Sequence, residues 1–114
     1  MARPDLLVPL LTPAGPLRGL MGAYFNQDWG DDHGSWEDVV GAFVTDAGTT
    51  GVEGAVSELD WLLASDATDE DVDWLLEEGL GSGFVPSVHG MGARESLQAI
   101  RNELRRRLGE RQSH

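Results

Sequence analysis

A chain of 114 residues has room for one domain and one hydrophobic core, and 40% hydrophobic residues suit a packed interior. It contains no cysteine, which excludes disulfides, thiolate nucleophiles and cysteine-ligated metals. Its 20 acidic residues face eight arginines and no lysine, for a net charge of −12, and the stretch Gly19–Ala93 holds sixteen of the acids and not one Lys or Arg. Such a body repels nucleic-acid phosphates and anionic membranes and draws in cationic partners from a distance.

Residues 1–15 read as an N-terminal arm. The apolar stretch Asp5–Leu11 is interrupted by Pro9 and followed by Pro13, and it lacks the basic start and long apolar core of a signal peptide. No run approaches the ~20 apolar residues that cross a bilayer, so a soluble cytoplasmic protein is expected. The first helix is expected to begin at Pro16, a residue suited to a first helical turn. Leu17, Leu20, Met21, Tyr24 and Phe25 then form one apolar stripe, which Trp29 extends until Gly30 stops the helix.

Ser35 and Asp38 make a capping pair for a second helix with Trp36, Val39, Val40, Phe43 and Val44 on one face, ending at Gly48. A third follows from the pair Thr50 and Glu53, carrying Val52, Val56, Leu59, Leu62 and Leu63. Thr68 is the expected N-cap of a fourth. Asp69, Glu70 and Asp71 stand in its first turn, where carboxylates complement the exposed N–H groups. Val72, Leu75, Leu76 and Leu80 form its buried face, and Gly79 and Gly81 end it.

The glycine-rich loop Gly81–Gly92 is expected to anchor through Phe84, Val85 and Val88. A last helix runs from about Arg94 to Leu108 on Leu97, Ile100, Leu104 and Leu108, with Arg105, Arg106 and Arg107 complementing its carbonyl end. Residues 16–110 thus form a compact all-α domain of about five helices with short loops, packed largely antiparallel, and 111–114 form a frayed tail.

Chemistry of the catalytic kind finds little support. Asp31, Asp32 and His33 are adjacent in one loop, and neighbours in a turn seldom complete a zinc shell. His89 and the terminal His114 are the other histidines. The run Asp66–Asp73 lacks the alternate carboxylates, central glycine and twelfth-position glutamate of a calcium loop. The glycines around Gly79–Gly83 have no preceding strand and no Lys-Ser/Thr after them, so they make no phosphate loop. No catalytic residue, metal or cofactor is assigned. What stands out is an acidic rim. Asp31, Asp32, Glu37 and Asp38 must lie together near one end of the bundle, where self-repulsion is relieved by a cationic partner, and with Asp28 they are the first candidate contact group. Asp69, Glu70, Asp71 and Asp73 make a second candidate contact group.

The segment Tyr24-Phe25-Asn26-Gln27-Asp28-Trp29, followed by a Gly/Asp loop and Trp36-Glu37, resembles the hallmark of a family of contact-dependent growth-inhibition immunity proteins, whose motif reads approximately YFHQDW. Glu58–Leu63 is similar to the family's third helix and Asp69–Gly79 to its acidic fourth. Asn26 stands where the family has histidine, and the loop at Gly83-Phe84-Val85 carries one aromatic where the family often has more. The resemblance implies a non-catalytic protein that binds the toxic C-terminal domain of a cognate effector, with Tyr24, Phe25, Asn26, Gln27, Asp28, Trp29 and Trp36 chiefly structural. Many such toxins are nucleases with basic surfaces. An acidic adaptor for another basic partner and a small carboxylate-bound metal enzyme are the competing readings. Abundant Arg, Ala and Gly without Lys points to a GC-rich bacterial source.

Overall fold

The computed structural model describes residues 15–32, 34–86 and 90–112. The expected arm before Gly15, His33, Val88, His89 and the last two residues, His114 among them, lie outside them. Among the described residues every regular element is helical.

Pro16 opens α1 (Pro16–Arg18), which widens at once into a π-helical stretch over Gly19–Tyr24. That stretch ends where the Phe25 N–H donates to the Leu20 carbonyl at 2.9 Å. The expected stripe therefore stops at Phe25. Trp29 begins a separate short helix, α2 (Trp29–Asp32), because a turn at 26–28 intervenes. Ser35 caps α3 (Trp36–Ala64) by accepting the Asp38 N–H at 3.2 Å.

The two helices expected on either side of Gly48 adjoin without a loop, as limbs of α3. Gly48 alone breaks the helical path, at φ 72° and ψ 177°, a conformation that a side chain would strain. Thr68 caps α4 (Asp69–Trp74), which again runs into a π-helical stretch, Leu75–Gly79. The last helix, α5 (Ala93–Gln112), continues past Leu108 and into the segment expected to fray.

Packing of α3 against α5 is the most extensive among the described elements. Val52, Ala55, Leu59 and Leu62 of α3 and Leu97, Ile100 and Leu104 of α5 are fully buried in the common core. Each such leucine or isoleucine contributes about 1.5–3 kcal/mol relative to its exposed state. Leu17, Leu20, Met21 and Phe25 close the core from one side, and Val72, Leu75 and Leu76 from another.

The arginines fix the two long helices antiparallel. Arg94 donates to the Leu63 and Ala67 carbonyls, so it closes the C-terminal end of α3. Arg101 pairs with Asp60 at 3.0 Å, and the Arg107 guanidinium donates to the Glu37 carbonyl at 3.3 Å, beside the start of α3. Arg106 and Arg107 both hold Glu103, with nitrogen–oxygen distances of 2.7 and 2.9 Å. The expectation that Arg105–Arg107 serve the carbonyl end of their own helix is thus corrected. The helix extends beyond them, and Arg106 and Arg107 find carboxylates on α5 while Arg107 also reaches across to α3.

At the opposite corner, the Leu17 N–H, left over in the first turn of α1, donates to Glu58 at 3.2 Å. Burial raises the Glu58 carboxyl above its ordinary value despite that bond.

Hydrogen bonds from Arg106, followed by those from Arg107, hold Glu103 below its ordinary carboxylate value of 4.5. A lowered native pKa adds stability above the unfolded value and loses it as pH falls through the native one. Denaturant unfolding of Glu103→Gln should therefore show a deficit against wild type that is full above pH 4.5 and narrows on acidification. A deficit independent of pH would show that the charge of Glu103 is not what the arginines use.

Candidate functional site

The hallmark segment builds a latch. Phe25 is buried and meets Trp29 and Phe84 edge-on, with ring centroids 5.5 and 5.0 Å away. The Trp29 indole N–H reaches the Gly83 carbonyl at 3.4 Å. Two donors of the following loop converge on the Phe25 carbonyl, the Gly83 N–H at 2.6 Å and the Ser82 hydroxyl at 3.1 Å.

Backbone comes so close here that a Cβ on Gly83 would sit 2.4 Å from the Asn26 carbonyl oxygen. Asn26 makes local turn bonds, its amide donating to Ala23 and its Oδ1 accepting the Asp28 N–H at 2.8 Å. This asparagine shapes the turn that presents Asp28. Tyr24 packs edge-on against Phe43 and donates to Asp46 at 2.6 Å, and that bond raises its own pKa. Gln27 is exposed, and Trp36 is half-buried against the core.

The latch ties the turn carrying one acidic group to the loop beside the other. Asp28 and Asp31 are exposed at the turn and on α2, and Asp38 is exposed in the first turn of α3. Glu37 is half-buried, and its main-chain carbonyl accepts from Arg107. Asp32 belongs to α2, and its side chain lies outside the described residues.

In the second group, Asp69, Glu70 and Asp73 are exposed, while Asp69 also accepts the Arg94 N–H at 3.0 Å. Asp71 is different. It is fully buried, and its carboxylate accepts the Thr68 N–H at 2.9 Å while its own N–H donates to the Thr68 hydroxyl. That reciprocal box removes Asp71 from the surface contacts expected of it.

One wall of a groove of about 470 Å³ carries Asp69, Asp73 and Glu77, one helical turn apart from each other along α4 and its π-helical continuation. The other wall is apolar, made by Phe84, Val85, Pro86 and Met91. Val85 was expected in the core with Phe84, yet it is 46% exposed whereas Phe84 is 1% exposed. The aromatic slot between Phe25 and Trp29 takes Phe84 and leaves its neighbour Val85 outside. Glu77, Val85 and Met91 thus join the site although the sequence did not single them out for it. Glu77 sits one turn beyond Asp73, and that spacing was the available signal.

No group of three or more His, Asp or Glu side chains is placed to hold a metal among the described residues. Nor is any helix among them long and apolar enough to cross a membrane.

Two substitutions separate scaffold from surface. Gly83→Ala should lower stability by about 1–3 kcal/mol in denaturant titration, because backbone must move to admit the Cβ. Asp71→Ala should cost about 1–2 kcal/mol through its lost cap. Any partner should then associate with the folded Asp71→Ala fraction at the wild-type rate, and slowed association would return Asp71 to the interface.

Among known proteins, a family model described as CdiI immunity protein matches residues 15–104. No curated protein matches the chain. Among solved structures, a chain in the crystal structure of the CdiA-CT/CdiI complex from Y. kristensenii 33638 superposes with a TM-score of 0.72. That match has 22% identity and covers 78% of this chain and 95% of the other, a likeness of fold.

Proposed function

Since the chain belongs to the CdiI immunity protein family, we propose that it binds the toxic C-terminal domain of its cognate effector and neutralises it by stoichiometric, non-covalent contact in the cytoplasm of the producing cell. The observation that carries this reading is the family match over residues 15–104, which takes in the latch, both acidic groups, α3, and α5 as far as Leu104. Catalysis by the immunity protein has no part in it.

The toxin surface that it covers is basic, as a nuclease's substrate site must be to hold phosphates. The support for this is the distribution of charge. Asp28, Asp31 and Asp38 stand exposed at the turn and the adjoining helix starts, with Asp69, Glu70 and Asp73 exposed across the 81–86 loop. Exposed carboxylates of one sign steer a cationic partner during encounter, and their effect fades with salt.

The test uses the cognate toxin domain, which this reading expects in the open reading frame beside this gene. Bound to the wild-type chain, it should lose its toxicity when the two are produced together in one cell. Its association rate should fall steeply between low and high ionic strength. The triple charge reversal Asp28→Lys, Asp31→Lys and Asp38→Lys should slow association by about tenfold or more at low salt. A salt-independent rate would count against electrostatic capture, and a toxin unaffected by the wild-type chain would end the neutralisation reading.

A further inference from the structure

The groove between α4 and the 81–86 loop offers two chemistries at once. Asp69, Asp73 and Glu77 line one side at successive turns, and Phe84, Val85 and Met91 line the other. None of the described residues that line it is basic. Nearby, the Arg94 guanidinium is turned to the Leu63 and Ala67 carbonyls, and only its backbone N–H meets Asp69.

Val85 and Trp61 are the large hydrophobic side chains exposed among the described residues. Val85 is the one seated beside a row of carboxylates in a concave surface. An exposed apolar side chain beside a row of exposed acids is complementary to one kind of occupant, a segment that brings both an apolar side chain and cations.

Resting on the immunity reading above, we propose that this groove is the anchoring site for the toxin domain, and that it takes a cationic amphipathic segment of that domain. An apolar residue of the segment packs on Val85 and Met91. Its lysines or arginines pair with Asp69, Asp73 and Glu77. The division of labour follows from the physics. Exposed rim charges govern how fast partners meet, while side chains desolvated at the centre of an interface govern how long they stay. Asp28 and Asp31 are exposed acids of a turn and a short helix, and in the groove charge and exposed apolar area coincide.

Surface plasmon resonance with the full chain and its cognate toxin domain separates these roles. Val85→Arg should raise the dissociation rate by at least 30-fold and leave the association rate within about threefold, a pattern typical of anchor residues. The double variant Asp73→Asn and Glu77→Gln should both slow association and hasten dissociation, and it should flatten the salt dependence. Glu53→Arg, on the far groove between α3 and α5, should bind as wild type. Thermal melts verify that each variant folds.

Hydrogen exchange on the wild-type complex gives a second readout, with slowed exchange expected over residues 69–77 and 84–86. Wild-type kinetics for Val85→Arg and the double variant, together with unprotected groove amides, would overturn the anchoring site while the immunity reading stood. Failure of the wild-type chain to bind its toxin would remove both.

Discussion

The constraint on which the rest depends is where the arginines go. A protein of net charge −12 with every arginine outside its central stretch has two options. It can lay those cations over its acids, or keep them for its own assembly. Among the described arginines, Arg18, Arg94, Arg106 and Arg107 are kept for assembly. Arg18 and Arg94 are engaged with main-chain carbonyls, Arg106 is held by acids of its own helix, and Arg107 ties that helix to the start of α3. The Arg101–Asp60 pair links the two long helices near the other end. With those cations held by carbonyls or by acids of α5, Asp28, Asp31, Asp38, Asp69 and Asp73 stay exposed to water and to whatever approaches through it. The same contacts that orient α5 against α3 therefore leave the surface acidic, and fold and charge pattern share one cause.

The second dependence is local. The 81–86 loop has little regular structure, and it is positioned by what it touches: the Phe25 carbonyl, the Trp29 indole and the slot filled by Phe84. Both α1, which leads to Phe25, and α4, which leads to the loop itself, end in π-helical turns. Their carbonyls at Leu20 and Leu75 accept from the fifth residue onward, at 2.9 and 2.7 Å. A π turn widens the helix and re-aims the residues after it, which is why such turns recur beside functional surfaces. Here they set Phe25 and Leu80 into the core, both buried. The loop then emerges with Val85 outward.

Much of this was legible in the sequence. The stripes of α3 and α5, the caps at Ser35 and Thr68, and the break at Gly48 follow from spacing and from residues whose preferences are intrinsic. The all-α fold follows from them. What periodicity could not give is whatever tertiary contact decides. Trp29 lies in phase with the α1 stripe, but Asn26 bonds into a turn and ends that helix's run first. Val85 and Phe84 look alike as anchors until one aromatic slot admits only one of them. Asp71 is chemically the equal of Asp69 and Asp73, and only its place three residues after Thr68 turns it inward. Within the acidic groups, residue type gave the charge, while exposure had to come from the fold.

These distinctions bear on how such a protein can be both selective and fast. At physiological ionic strength an exposed charge is screened beyond about 8 Å. Rim carboxylates can therefore gather many basic proteins and hold none of them, since exposed ion pairs contribute little to a finished complex. Discrimination needs a place where a wrong partner leaves something unsatisfied. A groove with acids on one wall and Val85 on the other meets that need. A partner that offers cations alone leaves the apolar wall wet, and one that offers apolar area alone buries carboxylates unpaired. The latch matters for the same reason: Val85 can discriminate only if the loop that carries it is already in place before the encounter, and the bonds to Phe25 and Trp29 put it there.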